Sequence, residues 1–116
     1  MKQAVIVFNS EPILGNLMPS QFRLDGNIKH YRRTLLQEIG RLDLPWQVSL
    51  DQTFGDIASL IAAHNQLLIC APGLEHQLFF DKADQNKLIF LTSLEFRVND
   101  VQRVIKQMQL ISGKNL

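Results

Sequence analysis

Three side chains in this sequence, Ser10, Glu75 and His76, have the types needed for nucleophilic catalysis: a hydroxyl, a base and a carboxylate to orient it. Ser10 lies in Phe8-Asn9-Ser10-Glu11-Pro12, without the Gly-x-Ser-x-Gly turn that exposes a nucleophile. The same loop is a poor phosphate cradle. Phosphate binding by backbone N–H groups needs closely spaced glycines and often a Lys. Here Gly15 and Gly26 lie far apart and no Gly-Lys-Ser/Thr occurs, which excludes a P-loop and a Gly-x-Gly-x-x-Gly fingerprint. A receiver-type phosphoacceptor would need acidic residues after the first strand and an Asp closing the third. The chain offers Glu11 and then Cys70-Ala71-Pro72. The histidines, His30, His64 and His76, do not share metal-ligand spacing, so no metal and no other cofactor is expected. Lys29-His30-Tyr31-Arg32-Arg33 is the densest positive cluster, suited to phosphates or an acidic partner. Glu38 partly offsets it, and a solvated helix face is the favoured reading. Leu78-Phe79-Phe80 is more apolar than a short helix can bury on one side, and marks either core or a contact surface.

The elements that must position these residues follow from apolar patterning. Leu67-Leu68-Ile69-Cys70-Ala71 and Leu88-Ile89-Phe90-Leu91 are too short for helices and do not alternate with polar residues. Such runs suit strands covered on both faces, as in a parallel sheet flanked by helices. A first strand is predicted over Gln3 to Phe8. Asn9 to Gly26 follows as a long connection of about eighteen residues with two Pro and two Gly, either holding a helical turn at Ile13 to Leu17 or acting as a lid. Asn27 is the expected N-cap of a helix to Leu42, with Ile28, Tyr31, Leu35, Leu36, Ile39 and Leu42 on one face. Leu44-Pro45 ends it, and the alternation Trp46, Val48, Leu50 predicts a half-buried edge strand. Thr53 and Asp56 sit at capping-box spacing before a helix to about His64, closed by Asn65. The third strand is expected over Gln66 to Ala71, with Pro72-Gly73 breaking it. Two helical turns over Leu74 to Phe80, a polar loop over Asp81 to Asn86 and a fourth strand over Lys87 to Leu91 follow. Beyond Thr92-Ser93-Leu94-Glu95-Phe96, a last helix runs from Asn99 or Asp100 to Ile111 and stops at Gly113.

This order predicts a single α/β domain over residues 1–116. Its four-stranded parallel sheet, in the order 2-1-3-4, has helices on both faces and so three layers. Ligands bind such sheets at the carboxyl ends of the strands, beside the point where the strand order reverses. Composition agrees with this class. With 46% apolar and 20% charged residues the chain is ordinary for a globular domain. Twelve basic against eleven acidic residues, a formal charge of +1, exert no pull toward nucleic acid or anionic lipid. The single cysteine, Cys70, cannot form an internal disulfide, and its apolar surroundings predict a buried thiol in a reducing compartment. Met1-Lys2-Gln3-Ala4 opens a core strand better than a secretory signal, and no apolar run reaches the roughly 20 residues of a membrane span. A cytoplasmic location is expected.

In size and element order the chain resembles the IIB subunits of the sugar phosphotransferase system, in their lactose/cellobiose-type branch. The matching text is Phe8-Asn9-Ser10, where that family has a Phe-Cys-Ser-like turn, and Ala71-Pro72-Gly73-Leu74-Glu75-His76, where it has Gly-Pro and a short helix. The resemblance implies a four-stranded parallel α/β domain. It does not carry over phosphoryl transfer, because Asn9 stands at the phosphoacceptor cysteine and an amide cannot form a thiophosphate. Glu11 to Gly26 is also longer than the family's compact loop.

The expectation is a non-enzymatic regulatory or protein-interaction module. Its binding rim comprises Asn9, Ser10, Glu11, Ala71, Pro72, Gly73, Glu75, His76, Thr92 and Ser93, with Phe79 as an apolar anchor. The expected partner is another protein, or a second copy of the chain. A small phosphoryl-transfer or hydrolytic enzyme using the strand-end loops is the alternative. Nucleic-acid binding through the basic first helix is a second alternative, and membrane insertion is not expected.

Overall fold

The computed structural model describes residues 1–8, 20–53, 55–74, 78 and 80–113, with residues 20–27 as backbone only. The strands are β1 (Lys2–Val7), β2 (Trp46–Leu50), β3 (Leu67–Cys70) and β4 (Leu88–Phe90). The helices are α1 (Ser20–Arg41), α2 (Ile57–Ala62), α3 (Ser93–Arg97) and α4 (Gln102–Ile111), with a 3-10 helix over Lys82–Lys87. All strand pairs are parallel and the order is β2-β1-β3-β4, as expected from the sequence. Val5 lies beside Ser49 on one flank and Leu68 on the other, and Ile69 pairs with Ile89.

Burial explains why each strand has its sequence. All four residues of β3 are fully buried, so both of its faces are covered and only an unbroken apolar run will serve. Full burial of each large side chain there contributes about 1.5–3 kcal/mol. At the edge, β2 alternates buried Trp46 and Val48 with exposed Gln47 and Ser49. The β1-to-β2 and β2-to-β3 crossovers run in opposite directions across the sheet. Right-handed connections therefore put α1 and α2 on opposite faces, which gives three layers. α1 packs against α3 and α4. Its Tyr31 stacks on Phe96 at 6.0 Å between ring centres, and its hydroxyl donates to the Asp100 carbonyl at 3.1 Å. Trp46, the sole tryptophan, donates its indole N–H to Ser112 Oγ at 2.8 Å, tying β2 to the end of α4.

Each edge strand carries an arginine on its outer side. The Pro45 carbonyl and the Asp51 N–H bond toward β1, so Val48 between them presents its backbone groups outward. Arg32 Nε donates to the Val48 carbonyl at 3.1 Å. On the far edge, the Leu91 N–H bonds to Cys70 of β3, which turns Phe90 outward, and Arg103 donates to its carbonyl at 2.6 Å. On each edge one outward carbonyl is thereby occupied by an arginine.

Several boundaries differ from the sequence reading. α1 begins at Ser20, so Asn27 is interior to the helix, not its cap, and Gly26 does not break it. A helical glycine costs only about 1 kcal/mol, which a helix of 22 residues absorbs. The N-cap of α2 is Asp56, whose carboxylate accepts the Ser59 N–H at 3.2 Å, while Thr53 Oγ1 accepts the Asp56 N–H. The helix ends at Ala62, and His64, not Asn65, takes the left-handed turn at φ 69°. The stretch expected as a polar loop at Asp81 to Asn86 winds into the 3-10 helix. Thr92 to Phe96, expected as a connection, includes α3, whose Thr92 and Glu95 form a full capping box. α4 starts later than expected, after Asn99 turns at φ 56°, and buries Val104, Ile105 and Met108. The proposed turn at Ile13 to Leu17 lies outside the described residues. So does most of the Leu74-to-Phe80 helix, within which the Leu78 N–H bonds the Leu74 carbonyl at 3.1 Å.

Candidate functional site at the carboxyl ends of the strands

The sheet's carboxyl rim is set by the last pairing residues. Asp51 donates to the Ile6 carbonyl, Ala71 to Val7 and Leu91 to Cys70, at 2.9, 2.8 and 2.9 Å. Of the residues expected to bind here, Ala71, Pro72, Gly73, Thr92 and Ser93 are described, and the adjacency of β3 and β4 brings them to one side of the rim. Asn9, Ser10, Glu11, Glu75, His76 and Phe79 lie outside the described residues.

Those five residues do different work. Ala71 is buried and belongs to the core. Gly73 sits at φ 92° with open space where a Cβ would stand, so the turn after β3 needs glycine for its backbone, not for room. Thr92 is engaged: its Oγ1 accepts the Glu95 N–H at 3.1 Å and its own N–H donates to Glu95 Oε1 at 2.8 Å. Gly73, Thr92 and Ser93 are exposed.

Two carboxylates, Asp51 and Glu95, to which the sequence assigns no role of their own, organise this rim. Asp51 is buried, and its oxygens accept the Thr53 N–H and hydroxyl at 2.8 and 2.6 Å and the Gly55 N–H at 2.7 Å. These bonds close a turn in which Gly55 takes φ 83°. The signal was available as Asp followed by Thr two residues on and Gly four on, an Asx-type turn. Glu95 accepts Arg103 through both oxygens, at 3.0 and 2.9 Å. That pairing, aided by the Thr92 bonds and opposed by burial, pulls its carboxyl down to about 2. Both carboxylates are consumed in holding loops.

Next to Thr92 and Ser93, two exposed side chains are apolar. Leu94 and Val98, one helical turn apart on and just beyond α3, are 64% and 58% exposed and share a face beside Ser93. Spacing of four was legible, but the segment's helical state was not.

Elsewhere, a cavity of about 430 Å³ at the amino ends of β3 and β4 is lined by Ile61, His64, Asn65, Gln66, Lys87 and Gln107, among others. Lys87 there pairs with Asp84 at 3.4 Å. In the basic cluster, Lys29, His30 and Arg33 are exposed, whereas Arg32 is engaged on β2. Cys70 is fully buried. Among the described residues no group of three His, Cys, Asp or Glu side chains is placed to hold a metal, and no helix is long and apolar enough to cross a membrane. No family profile, curated protein or solved structure matches the chain.

Proposed function

We propose that this chain is a regulatory or protein-interaction module that binds another protein through the carboxyl rim of its sheet. The observation that carries the reading is the exposed pair Leu94 and Val98, on and just beyond α3, a helix whose N-terminus is already capped by Thr92 and Glu95. Exposed apolar groups beside Ser93 and Gly73 suit a protein surface better than a polar small molecule. The IIB-like order of elements, with Asn9 at the place of the phosphoacceptor cysteine, supports binding without phosphoryl carriage. Phe79 extends the same reading.

The test is quantitative cross-linked capture from native lysate with the wild-type chain and a Leu94→Asp, Val98→Asp double variant. Both side chains are exposed, so the variant should melt like wild type while losing its specific partner at least about tenfold, the cost of removing a small apolar anchor. Ser10→Ala and His76→Ala, which remove no apolar anchor from the rim, should leave capture nearly unchanged. Undiminished capture by the folded double variant would eliminate the rim as the binding surface.

A further inference from the structure

The outer side of β2 combines a strand edge unpaired among the described residues, a groove and a cluster of positive side chains. Val48 and Leu50 turn their backbone groups away from β1, and among the described residues the bond received there is the one from Arg32 to the Val48 carbonyl. A cavity of about 410 Å³ lies here, lined by Arg32 and Leu36 of α1 and by Gln47, Val48 and Ser49 of β2, and it reaches across to Gln3 and Ala4 of β1. Among the described residues Arg32 bonds through Nε alone, which leaves its terminal nitrogens for a carboxylate. Lys29, one helical turn before Arg32, and the adjoining Arg33 are exposed and add to the field. Glu38, five residues beyond Arg33 on α1, is held by Arg41 at 2.8 Å.

We infer that the outer edge of β2 accepts an extended acidic segment of a partner protein as a fifth strand. The Val48 N–H and the Leu50 backbone groups pair with the segment's main chain. Alternate side chains enter the groove over Leu36, and a segment carboxylate receives the free fork of Arg32. The Val48 carbonyl stays with Arg32, so the sheet surrenders no existing bond when the segment docks. This surface is separate from the carboxyl rim, and either can fail without the other.

The experiment follows amide shifts of the full chain by NMR while titrating a synthetic peptide that alternates Glu and Val. Shifts should centre on Val48, Leu50 and Arg32 Nε and weaken with added salt. A Lys/Val peptide, and the Glu/Val peptide N-methylated at alternate residues in both registers, should fail to bind. Arg32→Gln should weaken the Glu/Val peptide by about tenfold, the worth of one charge-assisted contact, and Arg32→Glu should transfer the preference to the Lys/Val peptide. Arg32→Lys, which keeps the charge but loses the fork, should fall between. Four results overturn the inference: absence of shifts at β2, undiminished binding of both N-methylated peptides, self-association through β2, or tighter binding of both peptides to Arg32→Gln. The last would make Arg32 only a guard of the edge.

Discussion

Replacing Arg103 with Met keeps the aliphatic stem but removes two bonds to Glu95 and one to the Phe90 carbonyl. The carboxyl of Glu95 lies at about 2 when folded, against an ordinary 4.5. A depressed carboxylate contributes stability above its unfolded value and loses it as the pH falls through its folded value. Unscreened, the difference is worth at most about 3 kcal/mol. The Arg103 side chain is 51% exposed, and solvent screening reduces this to about 1.5 kcal/mol. The Phe90 bond adds about 0.5 kcal/mol that does not depend on pH. Arg103→Met should therefore cost about 2 kcal/mol at pH 7, shrinking to about 1 kcal/mol at pH 3, where the unfolded chain protonates Glu95 and the native one still does not. Urea denaturation of both proteins at the two pH values reads the gap directly, because every other titrating group cancels in the difference. In a Glu95→Gln background the same substitution should cost only the Phe90 bond at either pH. A gap that is equal at pH 7 and pH 3 would refute the assignment of Glu95 as the titrating partner.

Tyr31 is the only tyrosine, and burial, then the charges of Glu95 and Asp100, raise its phenol well above the ordinary 10, against the opposing pull of Arg103. Its contribution is complete below pH 10 and fades as the pH rises beyond it, so phenolate absorbance should appear only together with loss of the fold. Tyr31→Phe should cost about 1 kcal/mol in thermal unfolding through the lost bond to Asp100. Asp51→Ala strands the Thr53 and Gly55 donors and should cost about 2–3 kcal/mol by urea midpoint, with Asp51→Asn recovering part of it. Cys70 should react with a thiol reagent no faster than the domain unfolds, since its residue is fully buried. Faster labelling would show a local opening at β3.

The sheet was readable because two-sided burial leaves no freedom of composition: Leu67 to Cys70 had to be continuously apolar, and Trp46 to Leu50 had to alternate. Right-handed connections then made the order 2-1-3-4 one natural solution, and it is the order the sheet has. The start of α1 escaped because Gly26 resembles a breaker when read locally, whereas the helix around it outweighs one unfavourable residue. α3 escaped because five residues are too few for helical periodicity to show. Its Thr92 and Glu95 spelled the cap all the same. Placement of Ala71 to Gly73 and Thr92 to Ser93 on a common rim followed from topology. The use of Arg32 and Arg103 on the sheet edges did not, because it depends on which residues meet across 13 or more positions of chain, whereas the Asp51 turn was spelled locally by Thr53 and Gly55.

The bond from the Trp46 indole to Ser112 spans 66 positions. During synthesis, β1, α1 and β2 leave the ribosome long before the hydroxyl that completes the indole's surroundings. A nascent chain stopped short of Ser112 should therefore fluoresce differently from one that has emerged past it. The lone tryptophan thus provides a built-in optical marker for the moment the final helix docks.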